Sequence, residues 1–389
     1  MKTLKKLAKL LPVILLFAVS LAAGIFIGRA IYFPSAGSAA AKSFAEVLFD
    51  IAVGIVLFVI VLFIHIILHE GGHLVFGLAT GYRFLSFRVG SIVLQRGKDG
   101  KYSIKRFTLT GTGGQCLLSP PDMVNGTFPC ILYNLGGSLV NIIVAALCLV
   151  LRIVCSPSGI ADMFLFYMFV YGFLTGLLNL IPLKLDMVAN DGYNTLMLIR
   201  DANARRALWL QLKINEQQTH GRRLKDMPAE WFEPGGDADM KNPIISAIGV
   251  FAENRYMDAL DFAAAREQIN YLTKTPAVRI TGLYRELLKL DELFLDILEK
   301  GGDADLSLLS DKQTKKFMQQ MKYFPSVIRT EYAAAAVKGD EAAASVHACL
   351  ERFEKCAASY PSEADIASER ELMALIRPDD TNDRQEGKI

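Results

Sequence analysis

Four long stretches without a charged side chain constrain this chain more than any other feature of its sequence. Each is close to the roughly 20 apolar residues that a helix needs to cross the hydrocarbon core of a bilayer. They occupy residues 10–28, 51–68, 128–151 and 163–183. Hydrophobic residues make up 52% of the 389 positions, which is more than an ordinary soluble protein carries. The sequence therefore predicts an α-helical protein that crosses the membrane several times.

The first apolar stretch has two interpretations. It follows a lysine-rich N-terminus and precedes a run of small residues at 35–41, an arrangement that a cleaved signal peptide also shows. Its apolar core is long for a signal peptide, which favours an uncleaved anchor. Cleavage would leave the other three spans in the same orientation.

The distribution of lysine and arginine predicts the orientation of the spans, because these residues concentrate in cytoplasmic loops. The flanks at 33–45 and 152–160 carry only Lys42 and Arg152. The segment between the second and third spans is much more basic and contains Arg83, Arg88, Arg96, Lys98, Lys101, Lys105 and Arg106. We therefore expect an integral membrane protein whose N-terminus, 79–127 loop and C-terminus are cytoplasmic.

The overall charge excludes one class of partner. Lysine and arginine together number 42 and aspartate and glutamate number 40, so the chain has no general basic field. Nucleic-acid binding depends on such a field, and we expect none here.

The basic loop has a secondary-structure pattern of its own. Apolar and polar residues alternate through 84–95 and again through 101–110, and Lys98-Asp99-Gly100 between them has the composition of a turn. This pattern predicts a small β-hairpin associated with the membrane.

Beyond residue 200 the apolar runs give way to amphipathic helical periodicity, interrupted by proline and glycine at 228–236. The spacing of alanine there is faintly similar to tetratricopeptide helix pairs, and a plain helical bundle is the alternative. The predicted organisation is a membrane-embedded domain at 1–200, a linker at 201–236, a soluble all-α domain at 237–377 and a flexible tail at 378–389.

A histidine pair at the end of the second span carries the main chemical signal. His69 and His73 are four residues apart, so both imidazoles project from one face of a helix and can bind one tetrahedral metal ion. Glu70 lies beside them, where a carboxylate can accept a proton from water. Ionisable groups are costly at membrane depth, although the same three side chains would also suit the water-exposed end of a helix. We interpret the pattern as a zinc site.

A catalytic zinc ion usually takes three protein ligands, so a third must come from another segment. Pro182 can break the helix at the end of the fourth span and return a carboxylate, such as that of Asp191, to membrane depth. His65 shares the helix face of the histidine pair but lies about 6 Å further along the axis, too far to reach the same ion. We expect His65 to support the site or to be a satisfied core residue.

Together these motifs resemble the site-2 protease family of intramembrane zinc metalloproteases over about the first 200 residues. The shared features are His69-Glu70-Gly71-Gly72-His73 at a membrane helix end, Gly137-Ser138-Leu139-Val140-Asn141 in a later span, and Asn179-Leu180-Ile181-Pro182 leading to Asp191-Gly192. The resemblance implies that His69, His73 and Asp191 hold Zn²⁺ and that Glu70 is the general base.

Two departures from the family pattern bear on this assignment. The usual Gly-Pro-x-x-Asn lacks its proline here, and the interval between Pro182 and Asp191 is longer than usual. The longer interval leaves Asp186 as an alternative third ligand. Asp191 is favoured because Gly192 follows it, as in the family's motif, and because Asp-Gly suits a tight turn that presents a ligand.

Asn141 and Asn179 are amides in otherwise apolar helices, where their ordinary role is hydrogen bonding between helices. The resemblance implies that they also flank the site and stabilise the oxyanion that forms during peptide hydrolysis.

The function that the resemblance implies is hydrolysis of peptide bonds in membrane-associated or transmembrane substrates, in a bacterial cell membrane. The helical domain is expected to regulate the enzyme or to recruit a protein partner, and the hairpin to hold an unwound substrate as an added strand. A catalytically silent scaffold and a metal transporter are the alternatives. A transporter would need polar residues through both leaflets, and the spans are nearly bare outside their cytoplasmic half.

Overall fold

The computed structural model describes residues 43–109, 112–183, 189–339 and 342–376. Within these ranges the chain is mostly helical, with one small antiparallel sheet. The predicted first span at 10–28, the tail at 378–389 and the alternative ligand Asp186 lie outside the described residues.

Three helices in the described part of the chain are long and apolar enough to cross a membrane. They are α1 (Phe44–Ala79), α2 (Cys130–Cys155) and α3 (Gly159–Leu180). Three of the predicted spans are thereby confirmed as helices with the length and composition of a membrane span. Helix α1 extends well beyond its predicted apolar stretch. Its 36 residues are about 54 Å long at 1.5 Å per residue.

The surfaces of these helices are suited to an apolar surrounding. Only 17% to 22% of the residues in the most hydropathic window of each helix are buried inside the protein. Large side chains such as Phe49, Ile55 and Val154 are more than half exposed. Water would disfavour such surfaces, whereas lipid accommodates them, so all three helices are compatible with a membrane protein.

A four-stranded antiparallel sheet follows α1. Its strands are β1 (Arg83–Val89), β2 (Ile92–Arg96), β3 (Tyr102–Arg106) and β4 (Gly114–Ser119), in the spatial order β3-β2-β1-β4. In register, Val89 faces Ile92, Arg96 faces Tyr102, and Arg88 faces Gln115.

The single predicted hairpin was too simple. The alternation at 84–95 is divided between β1 and β2 because Gly90, at φ +59°, turns the chain. The second turn contains Lys98-Asp99-Gly100, as predicted. The Gly97 N–H closes this turn by donating to the Lys101 carbonyl at 2.9 Å. Strand β4 escaped notice because its six residues do not alternate in polarity.

Residues 201–236 were expected to be a linker, but they contain a packed helix. Helix α4 (Asp191–Arg200) is followed at once by α5 (Ala202–Thr219) and two short 3-10 turns at Leu224–Asp226 and Ala229–Phe232. Helix α5 packs against β4 through the Ser119 hydroxyl, which donates to Glu216 Oε1 at 2.5 Å. The linker interpretation failed because α5 is rich in polar and charged residues, which lowers its average hydropathy.

Seven further helices complete the described chain. They are α6 (Pro243–Asp258), α7 (Phe262–Lys274), α8 (Gly282–Lys300), α9 (Lys312–Gln320), α10 (Pro325–Ala336), α11 (Ala343–Ala357) and α12 (Glu363–Met373), with 3-10 turns at Gly301–Asp303 and Ser307–Ser310 between α8 and α9. Apolar residues from α8, α9 and α10, including Leu290, Phe317 and Val327, form one buried cluster among them.

The described residues group into two compact units. The first holds the three apolar helices and residues 190–193, and the second holds the sheet together with the helices that follow residue 194. The predicted division at residue 200 had placed the sheet with the apolar helices. Sequence order suggested that grouping, whereas the sheet makes its contacts with distant helices: the Arg106 N–H donates to the Ser359 carbonyl at 2.7 Å.

A buried ionic cluster lies inside the second unit. Arg329, only 2% exposed, donates to Asp291 and, at 3.0 Å, to Glu369. Burial raises the pKa of the Glu369 carboxyl to about 7, an effect that the nearby guanidinium only partly offsets.

This raised pKa predicts a pH-dependent stability. The folded state favours the protonated Glu369 carboxyl, so its stabilising contribution is present at acid pH and is lost as the pH rises through about 7. The melting temperature of the wild type relative to Glu369→Gln should therefore fall as the pH is raised from about 5 to about 8. Glu354→Gln, which alters an exposed carboxylate, is the matched control. A wild-type advantage that stays constant over this range would contradict the prediction.

Candidate metal centre

Three of the predicted ligands come together in the first unit. The Nε2 atoms of His69 and His73, on α1, lie 3.2 Å apart. Oδ2 of Asp191, in the first turn of α4, is 3.2 Å from Nε2 of His69 and 3.6 Å from Nε2 of His73. Side chains from one helix and from a segment more than 100 positions later thus aim three donor atoms at a common point.

These distances fit a bound metal ion. Tetrahedral zinc holds nitrogen and oxygen ligands at about 2.0–2.1 Å, which places neighbouring donors about 3.3 Å apart. The three separations lie on either side of that value. Among the described residues, this is the one group of three histidine, cysteine or carboxylate side chains whose donor atoms all lie within 4.8 Å of one another. The cluster can hold a metal ion, although two nitrogens and an oxygen do not by themselves select zinc.

A hydrogen bond from the ring nitrogen that does not face the cluster fixes the orientation of His73. Its Nδ1–H donates to the carbonyl oxygen of Tyr133 at 2.7 Å. This bond assigns the proton to Nδ1 and leaves the lone pair of Nε2 facing Asp191, which is the state a metal ligand requires.

Glycine on α2 makes room for both imidazoles. A Cβ atom at Gly137 would lie only 2.7 Å from Nδ1 of His69 and 2.7 Å from Nε2 of His73. The next residue, Ser138, is fully buried and stands where the family's motif has proline. Its hydroxyl lies 3.5 Å from Oδ2 of Asp191, so the departure from the motif places a weak hydrogen-bond donor beside the third ligand.

Helices α1 and α2 are in direct backbone contact at the level of the histidine motif. A Cβ atom at Gly72 would overlap the carbonyl group of Gly136 and lie 2.8 Å from the Cα of Gly137. Gly71, in contrast, has open space around it. Of this glycine pair, Gly72 alone is therefore a point of close helix contact.

Asn190 holds the third ligand in place. Its side-chain Nδ2 donates to the carbonyls of Leu178 and Ile181, which α3 leaves unpaired at its end, at 2.8 and 2.7 Å. Its Oδ1 accepts from the backbone N–H groups of Leu183 and Tyr193 at 3.1 and 2.9 Å. One side chain thereby ties the end of α3 to the start of α4, where Asp191 begins the helix.

Gly192 permits the same close approach. A Cβ atom there would overlap the carbonyl of Leu180 and lie 2.8 Å from the carbonyl oxygen of Asn179. The Asp-Gly pair is therefore needed for packing against the end of α3, and not only for a turn.

Glu70 and His65 occupy different environments on α1. Glu70 is 9% exposed and interacts electrostatically with His69, its neighbour in sequence. His65 is 1% exposed, and both its ring nitrogens are engaged, Nε2 with the Met168 carbonyl at 2.9 Å and Nδ1 with the Asn141 amide at 3.2 Å. This arrangement is that of a satisfied interhelical histidine, and it keeps His65 away from the metal cluster.

The two predicted amides have structural contacts. Asn141 bonds to His65 and, through Nδ2, to the Thr175 hydroxyl at 3.4 Å. Asn179 donates to the Thr175 carbonyl in its own helix at 3.2 Å. These contacts are the ordinary interhelical and intrahelical roles of such amides, and the oxyanion role remains a prediction.

Sequence reasoning missed four residues that shape the site: Tyr133, Gly137 as a contact of both imidazoles, Ser138 and Asn190. Asn190 had a signal in its position directly before Asp-Gly, since asparagine commonly caps helices and turns. The Tyr133 contact uses a backbone carbonyl, which no residue type reveals.

No protein-family model, curated protein or solved structure matches this chain. The likeness to site-2 proteases therefore depends on the motifs and on the geometry of the cluster.

The helix contact at Gly72 predicts a difference between two neighbouring glycines. Gly72→Ala should lower the melting temperature in detergent and weaken metal binding, because overpacking at a tight contact costs roughly 1–3 kcal/mol or more. Gly71→Ala should be neutral or stabilising by up to about 1 kcal/mol, because alanine favours the helix and has room. Equal effects of the two substitutions in a paired melting and metal-binding assay would refute the close contact.

The ligand assignment predicts that Asp191→Ala loses metal whereas Asp186→Ala retains it. Removing a direct ligand should weaken metal affinity by more than the roughly 10- to 100-fold that loss of an outer-shell partner costs. Elemental analysis of the purified variants after dialysis measures the bound metal. Retention by the Asp191 variant together with loss by the Asp186 variant would move the third ligand to Asp186.

Proposed function

We propose that this protein is an intramembrane zinc metalloprotease of the site-2 protease type, which hydrolyses peptide bonds of membrane-associated or transmembrane substrates. The observation that carries the proposal is the convergence of His69, His73 and Asp191 at one end of an apolar helix, with Glu70 adjacent. Two histidines and a carboxylate leave a tetrahedral zinc ion one open position, which is the coordination of a catalytic site.

Each residue has a chemical role in this proposal. A zinc ion held by the three ligands would polarise the scissile carbonyl and make water a better nucleophile at neutral pH. Glu70 takes the proton from the attacking water and delivers it to the leaving amine. The Tyr133 carbonyl keeps the His73 proton on Nδ1, and Asn190 keeps Asp191 at the end of α3.

Substrate presentation is the second requirement. A transmembrane helix hides its peptide bonds in its own hydrogen bonds, so it must unwind before cleavage. Strand β3 lies at one edge of the sheet, and its Tyr102 and Ile104 are 62% and 74% exposed. The Arg106 N–H is already bonded to Ser359. An extended substrate segment would therefore pair with the stretch 102–105.

No specific observation supports either alternative function. A metal transporter would need further ligands along a path, yet both ring nitrogens of His65, the next histidine on α1, are engaged by Asn141 and Met168. A silent scaffold predicts no bound zinc. Metal content after purification separates this alternative from the protease.

The general-base role predicts the behaviour of Glu70→Gln. The amide cannot accept the proton from water, so peptide cleavage should fall by roughly 10²- to 10⁴-fold, while zinc content is unchanged. The control is Glu46→Gln, near the start of the same helix, where the carboxylate bonds to Ser43. Cleavage is measured on an unfolded model peptide, and membrane peptides that accumulate in cells expressing the Glu70 variant identify natural substrates.

Two outcomes would overturn the proposal. Undiminished cleavage by Glu70→Gln would remove the base from the mechanism. A wild-type protein without zinc and without peptidase activity would favour the scaffold.

A further inference from the structure

Two adjoining cavities lie in the second unit, and none of their lining residues belongs to the metal centre. Their volumes are about 270 and about 160 Å³. They share six lining residues: Phe107, Leu109, Asn215, Gln218, Tyr360 and Asp365. The larger cavity is lined mainly by helices and the smaller one by strands, helices and loops, and the shared residues make the two cavities neighbours.

The wall of the larger cavity has an excess of negative charge. It includes four carboxylates and one cationic residue, Arg329. Arg329 is shared by Asp291 and Glu369, and Asp258 is paired with Arg223 at 2.5 Å. Asp365, which belongs to both cavities, accepts from the neutral Gln218 amide at 2.6 Å. The carboxylates of the larger cavity are therefore not fully balanced by protein cations, whereas the smaller cavity contains a further buried cation, Arg88.

A further carboxyl group lies next to this wall, and burial raises its pKa, so that it adds little negative charge. Glu253 is fully buried, and neither of its oxygens has a hydrogen-bond partner among the described residues. Its electrostatic neighbours are Asp291, Arg329 and Glu369.

The smaller cavity contains an acceptor without a donor. Gln95 is 4% exposed, and its Nε2 donates to the Pro361 carbonyl at 2.9 Å. That bond fixes the amide, whose Oε1 has no hydrogen-bond partner within the described chain. Buried acceptors of this kind are nearly always paired, so Oε1 is available to a ligand that brings an N–H or O–H donor.

Aromatic rings complete the lining. Phe107 lies 5.5 Å from Tyr360 and 6.1 Å from Phe324, measured between ring centroids. Phe107 and Tyr360 line both cavities. The Arg88 guanidinium already lies 5.8 Å from the centroid of Phe107, so the rings offer a ligand mainly apolar contact surface.

We propose that the two cavities form one binding site for an organic ammonium group carried on an aliphatic chain. The carboxylates supply charge, Gln95 supplies an acceptor, and the rings contact the apolar chain. A metal ion suits this space less well, because no three metal-ligating side chains in the described part of the unit converge as they do at the metal centre. In the larger cavity an anion would meet the excess negative charge.

The ionisation of the wall agrees with this ligand. Burial raises the pKa of Asp365 to about 6 and that of Glu369 to about 7, so the charged forms are costly without a counter-ion. A bound ammonium group would relieve that cost. The site goes beyond the proposed peptidase activity and does not depend on the metal centre.

Two sources could supply the ammonium group, a free polyamine or a lysine side chain in a peptide. Calorimetric titration of the full-length protein in detergent distinguishes them. The probes are spermidine, a short peptide with one lysine, and the same peptide with norleucine in place of lysine. We expect saturable binding of spermidine or of the lysine peptide, with the tighter ligand identifying the source, and no binding of the norleucine peptide.

Asp365→Asn tests the location of the site. It preserves shape and removes a costly buried charge, so the variant should fold, and it should bind the cation at least about tenfold more weakly because one ion pair to a buried charge is lost. Glu354→Gln removes an exposed carboxylate from the same unit and should bind normally. His73→Ala should also bind normally, which keeps this test separate from that of the peptidase. No saturable binding of either cation, or equal binding by the Asp365 variant, would overturn the proposal.

Discussion

The contact between Gly72 and Gly136 is the constraint on which the rest of the metal centre depends. It brings the backbones of α1 and α2 together at the level of the histidine motif, so that Gly137 lies against both imidazoles. Any larger residue at these points would separate the helices and move the ligands relative to Tyr133, whose carbonyl orients His73. The glycines lower the intrinsic stability of the helices in which they lie. Close packing between the helices offsets that loss and also fixes the positions of the histidines.

The third ligand depends on a different device. Helix α3 ends near Leu180, and its last carbonyls would lack hydrogen-bond partners without Asn190. The side chain that satisfies them also starts α4, and Asp191 follows it directly. The end of α3 and the position of Asp191 are therefore set by the same four hydrogen bonds.

The sequence predicted those features that depend on local spacing. Any two residues four positions apart share a helix face, so the proximity of His69 and His73 was predictable. Three of the predicted apolar runs likewise form helices. The partner of Gly72 was not predictable, because it lies on another helix, more than 60 positions away. The same holds for the fixed position of Asn190, for strand β4 and for the packing of α5. The acidic cavity gave no sequence signal, since Gln95, Arg329 and Asp365 belong to segments that only tertiary contacts bring together.

The position of the histidines within α1 makes their surroundings depend on the thickness of the membrane. The uncharged run 51–68 that precedes them is about 27 Å long, close to the thickness of a thin hydrocarbon core and shorter than a thick one. In a thin bilayer His69 would lie at the level of the headgroups. Hydrophobic mismatch in a thicker bilayer would draw the motif below the interface or thin the lipid around it. Lipid thickness would then control how readily water reaches the metal ligands, and lipid composition would act on the same chemistry as a mutation in the site.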